Sequence, residues 1–172
     1  MPVFLKREIT DQFPALKKQN LKHSDYATKS IGDLFGREVL EKTAIKQFNY
    51  CPTTVAINDG KGGFRVTALP VMVQLSSVNA IYCGDLNGDG SADLVLGGNK
   101  FGFPPQFGRL DGSYGHLLYN DGRGGFRWIG PKESGISLRG EVRDIREVKV
   151  KDKRCLLVVQ NNERPIMYQL KK

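Results

Sequence analysis

The sequence predicts a mainly β fold, built from two copies of one β unit and preceded by a short α-helical N-terminal segment. Three observations carry this. The octapeptide Asn58–Arg65, NDGKGGFR, returns as Asn120–Arg127, NDGRGGFR, at an offset of 120 − 58 = 62 residues. The stretch from Gly84 to Leu94, GDLNGDGSADL, sets oxygen-bearing side chains on alternate residues between two apolar, strand-like runs. Composition also changes near residue 48: before it the chain is rich in Lys, Leu and Ala and poor in β-branched runs. The division is therefore 1–48 as the helical segment and 49–172 as two repeat units, about 49–110 and 111–172.

In the N-terminal segment, Ser24 or Asp25 can cap a helix whose Ala27, Ile31, Leu34 and Phe35 share one face and which ends at Gly36. A second short helix is expected from about Arg37 to Ile45, and Pro14 suits the first position of a turn over Phe13–Lys18. His23, just ahead of the first helix, suits a capping or surface role. Helices this short need a surface to pack against.

Each octapeptide follows an alternating run, Thr54–Ile57 or Leu117–Tyr119, and leads into another that begins at its Phe. Asp-Gly between such runs is a hairpin signal, and the further glycines suit a bulged turn. A repeat of this length marks a supersecondary unit that buries its faces only by stacking on its neighbours.

Asp85, Asn87, Asp89, Ser91 and Asp93 carry the chemistry of the alternating loop. Gly88 and Gly90 permit positive φ, so the backbone can curl and bring the oxygens together. Converging carboxylates repel one another unless a cation lies among them. A hard ion with oxygen ligands at roughly 2.3–2.6 Å, Ca²⁺, suits this set. Asp85, Asn87, Asp89 and Asp93 would supply side-chain oxygens and position 91 a backbone carbonyl. The plainer alternative is an Asx-rich turn that binds no metal. An EF-hand is excluded: its twelfth position needs Glu and here is Leu96, and the flanks Val78–Cys83 and Leu94–Leu96 read as strands, not helices. The offset of 62 carries Asp85, Asn87, Asp89 and Asp93 onto Glu147, Lys149, Lys151 and Cys155. The second copy keeps its strand, Leu156–Val158, but no cation is expected there. Its Lys149, Lys151, Lys153 and Arg154 read as a solvated turn and edge.

Asp85–Asp93 resembles the Asp-x-Asx-Gly-Asp-Gly-x-x-Asp motif of FG-GAP (VCBS-type) repeats, and Asn-Asp-Gly-x-Gly-Gly-Phe their companion hairpin. The resemblance covers about residues 50–170. More narrowly, Lys29–Phe35, Leu96–Asn99, Phe107–Asp111 and Gly140–Ile145 are similar in order to the C-terminal part of the cartilage-acidic-protein-like VCBS proteins of Bacteroidetes. The resemblance implies integrin-α-like β-propeller units, calcium in blade hairpins, a secreted or outer-membrane address and a binding role. Two repeat units make an incomplete propeller, which leaves blade edges open for self-association or for completion by another chain.

The connection from Lys100 to His116 gathers three Phe, a Tyr, an Arg and a His, and loops of this length often carry function. Phe103, Arg109, Asp111 and Tyr114 are its candidate ligand-binding residues. The alternative is that the Phe rings fill a gap between blades while Arg109 pairs with Asp111. The alternating charges of Gly140–Asp144 read as structural pairing.

Over 172 residues, 40% hydrophobic content with 20 Gly and 8 Pro fits a turn-rich globular chain. No run approaches the roughly 18 apolar residues of a membrane span, and no signal-peptide core follows Met1. The formal charge of +8 is spread along the chain without a basic block interleaved with aromatics, so no nucleic-acid partner is expected. Cys51, Cys83 and Cys155 read as small buried hydrophobes. No Gly-x-Ser-x-Gly, phosphate loop, His-Glu-x-x-His or Cys-x-x-Cys occurs; His23 and His116 lie far apart in sequence, and neither is expected to have a neighbouring nucleophile. The expectation is a non-catalytic, calcium-binding module for a protein or glycan ligand. The alternatives are an assembly piece, a calcium-dependent carbohydrate-active enzyme that draws a carboxylate pair from the loop, and a binder of anionic polymers.

Overall fold

The computed structural model describes residues 4–104 and 107–170, and the chain divides into two compact units, Met1–Asn49 and Tyr50–Lys172. It is mainly β, with three small antiparallel sheets and a few short helices.

Among the described residues the first unit holds five short helices: α1 (Lys6–Gln12), α2 (Ala15–Gln19), α3 (His23–Ala27), α4 (Ile31–Phe35) and α5 (Arg37–Glu41). The expected single helix up to Gly36 is broken at Thr28–Ser30, where Ser30 opens a new one. Its Oγ accepts the Asp33 N–H at 3.3 Å while Asp33 Oδ2 accepts the Ser30 N–H at 2.7 Å. Ser24 and Asp25 instead lie inside α3, whose N-cap is Lys22. The buried face differs from the expected one as well: Ile9, Leu16, Tyr26 and Leu34 form the core, with Phe35 against it, whereas Ala27 and Ile31 are exposed. Tyr26 takes the place because its ring fills the small core and its hydroxyl donates to the Phe4 carbonyl at 2.7 Å.

In the second unit β1 (Thr54–Asn58) and β2 (Phe64–Ala68) form a two-stranded sheet. Next, β3 (Val78–Gly84), β4 (Asp93–Gly98), β5 (His116–Asn120) and β6 (Phe126–Ile129) form a four-stranded meander. The third sheet is β7 (Val142–Val150), β8 (Lys153–Gln160) and β9 (Ile166–Gln169). A 3₁₀ turn (Val71–Leu75) leads into the middle sheet and α6 (Pro131–Ser134) leaves it. The middle sheet is offset from the sequence repeat, since it joins the second half of one copy to the first half of the next.

The two octapeptides fold alike. Asp59 Oδ1 accepts the N–H groups of Lys61 and Gly63 at 2.7 and 2.9 Å; Asp121 Oδ1 accepts those of Arg123 and Gly125 at 2.8 and 2.9 Å. Gly60, Gly62, Gly122 and Gly124 all take positive φ, which is why the turn needs glycine there. The amide donors hold both aspartates below the usual carboxylate range.

The main core lies between the middle and third sheets: Ala80, Val95, Leu117 and Ile129 face Val142, Ile145, Leu156 and Val158. Gly97 on β4 sits so tightly against Val142 that a Cβ there would collide with it. Asn99, wholly buried and left-handed at φ 72°, pins this arrangement. Its Nδ2 donates to the Ser113 and Arg139 carbonyls at 2.8 and 3.1 Å, and its Oδ1 accepts the Ser113 N–H at 3.0 Å and the Ser76 hydroxyl at 2.9 Å. In the second copy Asn161 donates to Glu141 through both its backbone N–H and its Nδ2, each at 2.8 Å. Of the cysteines only Cys155 is buried; Cys51 and Cys83 are exposed, Cys83 because it falls on the outer face of β3.

Candidate functional site

The alternating loop joins β3 to β4, as its apolar flanks require. Its oxygens are held by the loop's own backbone. Asp85 Oδ1 accepts the Gly88 N–H at 2.6 Å and Oδ2 the Gly90 N–H at 3.0 Å. Those amides reach back because Gly88 and Gly90 sit at φ 84° and 82°. Asn87 Oδ1 accepts the Asp89 N–H at 2.9 Å, and Asp89 Oδ1 accepts the Ser91 N–H at 2.7 Å. The Ser91 amide, followed by the Asn87 carboxamide, keeps Asp89 ionised below the usual range.

Asp93 is different in kind. It is fully buried at the head of β4, its Oδ2 accepting the Leu86 N–H at 3.0 Å and its Oδ1 the Asn120 N–H at 2.9 Å. Among the described residues no Lys or Arg pairs with it. A carboxylate has about four acceptor positions, and two amides fill half of them. Asp85, Asn87, Asp89 and Asp93, with the position-91 carbonyl, are the donor set a hard divalent ion prefers. The present conformation keeps them apart: Asn87 Nδ2 occupies Asp89 Oδ2 at 2.9 Å, and among the described residues no three His, Cys, Asp or Glu side chains close on one point.

In the aromatic connection, Arg109 does not pair with Asp111. Its guanidinium carbon lies 4.0 Å over the Phe101 ring, Lys100 Nζ lies 5.2 Å over Phe103, and Arg139 lies 5.1 Å over Tyr114. Phe107 is exposed, so it does not fill a gap. The loop is pinned by a Lys100–Leu110 bridge and by the Phe101 N–H, which donates to Glu141 Oε1 at 3.1 Å. Arg109 and Arg139 thus line one cleft with Phe101, Tyr114 lies against Arg139, Phe103 lies against Lys100, and Asp111 is exposed. Arg139 escaped the sequence reading because it lies 30 residues from Arg109 and only the fold unites them. The charges around Val142 do pair, Arg143 to Glu141 at 3.3 Å and Arg146 to Asp144 at 2.8 Å.

His116 has a neighbouring hydroxyl after all. Ser113 Oγ stands 3.1 Å from its Nε2, and the Trp128 indole N–H donates to its Nδ1 at 3.2 Å. The indole consumes the Nδ1 lone pair, so Nε2 carries the proton and donates to the serine. A base able to activate Ser113 would need the opposite arrangement. Burial pushes the imidazole pKa down, in keeping with a neutral ring.

The second copy also departs from a merely solvated turn. Arg154 Nε donates to Glu147 Oε1 at 2.7 Å, its Nη2 reaches the Asp85 carbonyl at 3.2 Å, and the Tyr82 hydroxyl donates to Glu147. Glu147 is thereby held at about 2.

No family model, curated protein or solved structure matches the chain. No described helix is long and apolar enough to cross a membrane.

Proposed function

We propose that residues 49–172 form a non-catalytic calcium-binding module of β-propeller type that binds a protein or glycan ligand at the cell surface. The observation that carries this reading is Asp93. A buried carboxylate with amide partners alone is incompletely compensated, and it stands at the root of a loop that offers Asp85, Asn87, Asp89 and the position-91 carbonyl. Calcium supplies the missing charge and locks the β3–β4 connection. The four-stranded meander β3–β6 corresponds to one FG-GAP-type blade, with β1–β2 and β7–β9 as parts of its neighbours. The cation–aromatic surface around Arg109 is the ligand-binding face.

Melting with calcium and with chelator tests the metal. Calcium at 100 times its dissociation constant adds about 2.7 kcal/mol, with affinity expected at roughly 10⁻⁴–10⁻³ M. The wild type should melt higher with calcium and Asp89→Ala should not respond. Equal melting across wild type with calcium, wild type with chelator and the variant refutes a structural metal.

A second reading, assembly through sheet edges, is favoured by the outer edges of β2 and β9, beside which Phe64, Val66 and Met167 are exposed. It predicts a mass that rises with concentration in light scattering; a strictly monomeric chain counts against it.

A further inference from the structure

We infer that the cleft between the aromatic connection and the segment leading into β7 binds the carboxylate of an acidic sugar, a uronate unit of a glycan. The inference rests on the proposed glycan-binding role and names its ligand class. The cleft, about 420 Å³, is lined by Phe101, Arg109, Ser137, Arg139 and Glu163, with Gln160 at its floor. Two guanidinium groups share it, and each lies over an aromatic ring: the Arg109 guanidinium carbon is 4.0 Å from the Phe101 centroid and that of Arg139 5.1 Å from the Tyr114 centroid. A ring takes up none of a guanidinium's N–H hydrogen-bond donors by ion pairing, so they remain for a planar oxyanion. Among the described residues neither arginine forms an ion pair, whereas Arg143, Arg146 and Arg154 all do.

The backbone beneath is fixed before any ligand arrives. The Arg139 carbonyl accepts from buried Asn99, and the Gly140 N–H donates to Gln160 Oε1 at 3.1 Å. A fixed backbone under Arg139 lowers the ordering cost of binding. Glu163 selects the class of ligand. Its carboxylate repels a second negative charge but accepts hydroxyl donors, so the lining suits one carboxylate with hydroxyl groups beside it. A nucleic-acid strand would set successive phosphates against Glu163. A neutral sugar would leave both arginines without an anion.

Chemical-shift titrations of the full chain with triglucuronate, maltotriose, inorganic sulfate, an oligodeoxynucleotide and a polyglutamate peptide test this. Triglucuronate should bind best, and Arg109→Ala and Arg139→Ala should each weaken it about tenfold or more. Both side chains are exposed, so unchanged melting temperatures separate lost recognition from lost fold. Glu163→Gln should weaken triglucuronate and strengthen sulfate. Maltotriose binding as tightly as triglucuronate, and indifferent to both arginine variants, overturns the inference while leaving a glycan-binding module standing. Preference for the oligonucleotide or the peptide overturns it in favour of that ligand. Absence of binding to any of the five overturns both the inference and the glycan reading, while the calcium melt continues to judge the metal alone.

Discussion

The β3–β4 loop and the β7–β8 turn hold equivalent places in the two copies of the repeat, yet they close by opposite means. The first is an acidic loop that satisfies its oxygens with its own amides and, at Asp93, with the part-buried amides of Leu86 and Asn120. The second is a two-residue turn at Lys151 and Asp152, both left-handed at φ 46° and 65°, set among the basic residues Lys149, Lys153 and Arg154. There Cys155 takes the place of Asp93, and Glu147, in the place of Asp85, receives Arg154. A side-chain cation thus stands in the second copy where the first is proposed to recruit an ion from solution. Duplicated strands can be retained while the charge logic of their turns diverges, because the core between the sheets depends on Val95, Leu117, Val142 and Leu156 and not on the turns.

The sharpest break between the two is expected at Asp93 and Cys155. Asp93→Ala strands two part-buried amides and should cost about 2–6 kcal/mol in denaturant unfolding, at about 1–3 kcal/mol for each unmet donor. Cys155→Ala removes one buried sulfur and should cost about 1 kcal/mol. Equal costs would erase the distinction between the copies. Next comes metal dependence: Asp89→Ala should abolish the calcium-induced rise in melting, and Lys151→Ala should leave it intact, the gap being about 2.7 kcal/mol at saturating ion.

Acid sharpens the comparison from the other side. Glu147 titrates at about 2 in the folded chain and near 4.5 unfolded. Its stabilising pair is therefore complete above about pH 4.5 and is lost as pH falls toward 2. Arg154 is half exposed, so screening holds the effect to about 1 kcal/mol or less. Urea unfolding at pH 3 and pH 6 should show Glu147→Gln flattening that part of the profile. The smallest effect is expected at the turn itself. Asp152→Gly relieves a left-handed non-glycine residue and should stabilise by a few tenths of a kcal/mol; a loss on unfolding would mean that the Lys149–Asp152 pair at 3.1 Å outweighs the strain.

Much of the β unit was legible because its signals are local. Alternation marked Thr54–Ile57 and Leu117–Tyr119, Asp-Gly marked the hairpins, and the apolar flanks placed the acidic loop between strands. Helix α1 was missed because Lys6–Gln12 shows no cap residue and only Ile9 and Thr10 of it are buried. The break before α4 hinges on a Ser30–Asp33 capping box that competes with the Ser24–Asp25 signal upstream. The site was legible only in part. Arg109 and Tyr114 stand out in sequence, but Arg139, the Asn99 network and the Ser113–His116–Trp128 chain depend on residues brought together from distant strands. Pairing of Arg154 with Glu147 was hidden in the same way, since a run of basic residues does not reveal which one turns inward.

Asn99 makes the chemical ageing of the chain a matter of conformation. Its carboxamide could be attacked only by the nitrogen of Lys100, and that N–H is tied to the Leu110 carbonyl at 2.8 Å. While the fold is intact the amide is shielded from hydrolysis. Should the segment open long enough for the amide to become an acid, the new carboxylate would meet the Ser113 and Arg139 carbonyls where a donor once stood. Re-closure would then be opposed, and a transient opening would be recorded as permanent damage.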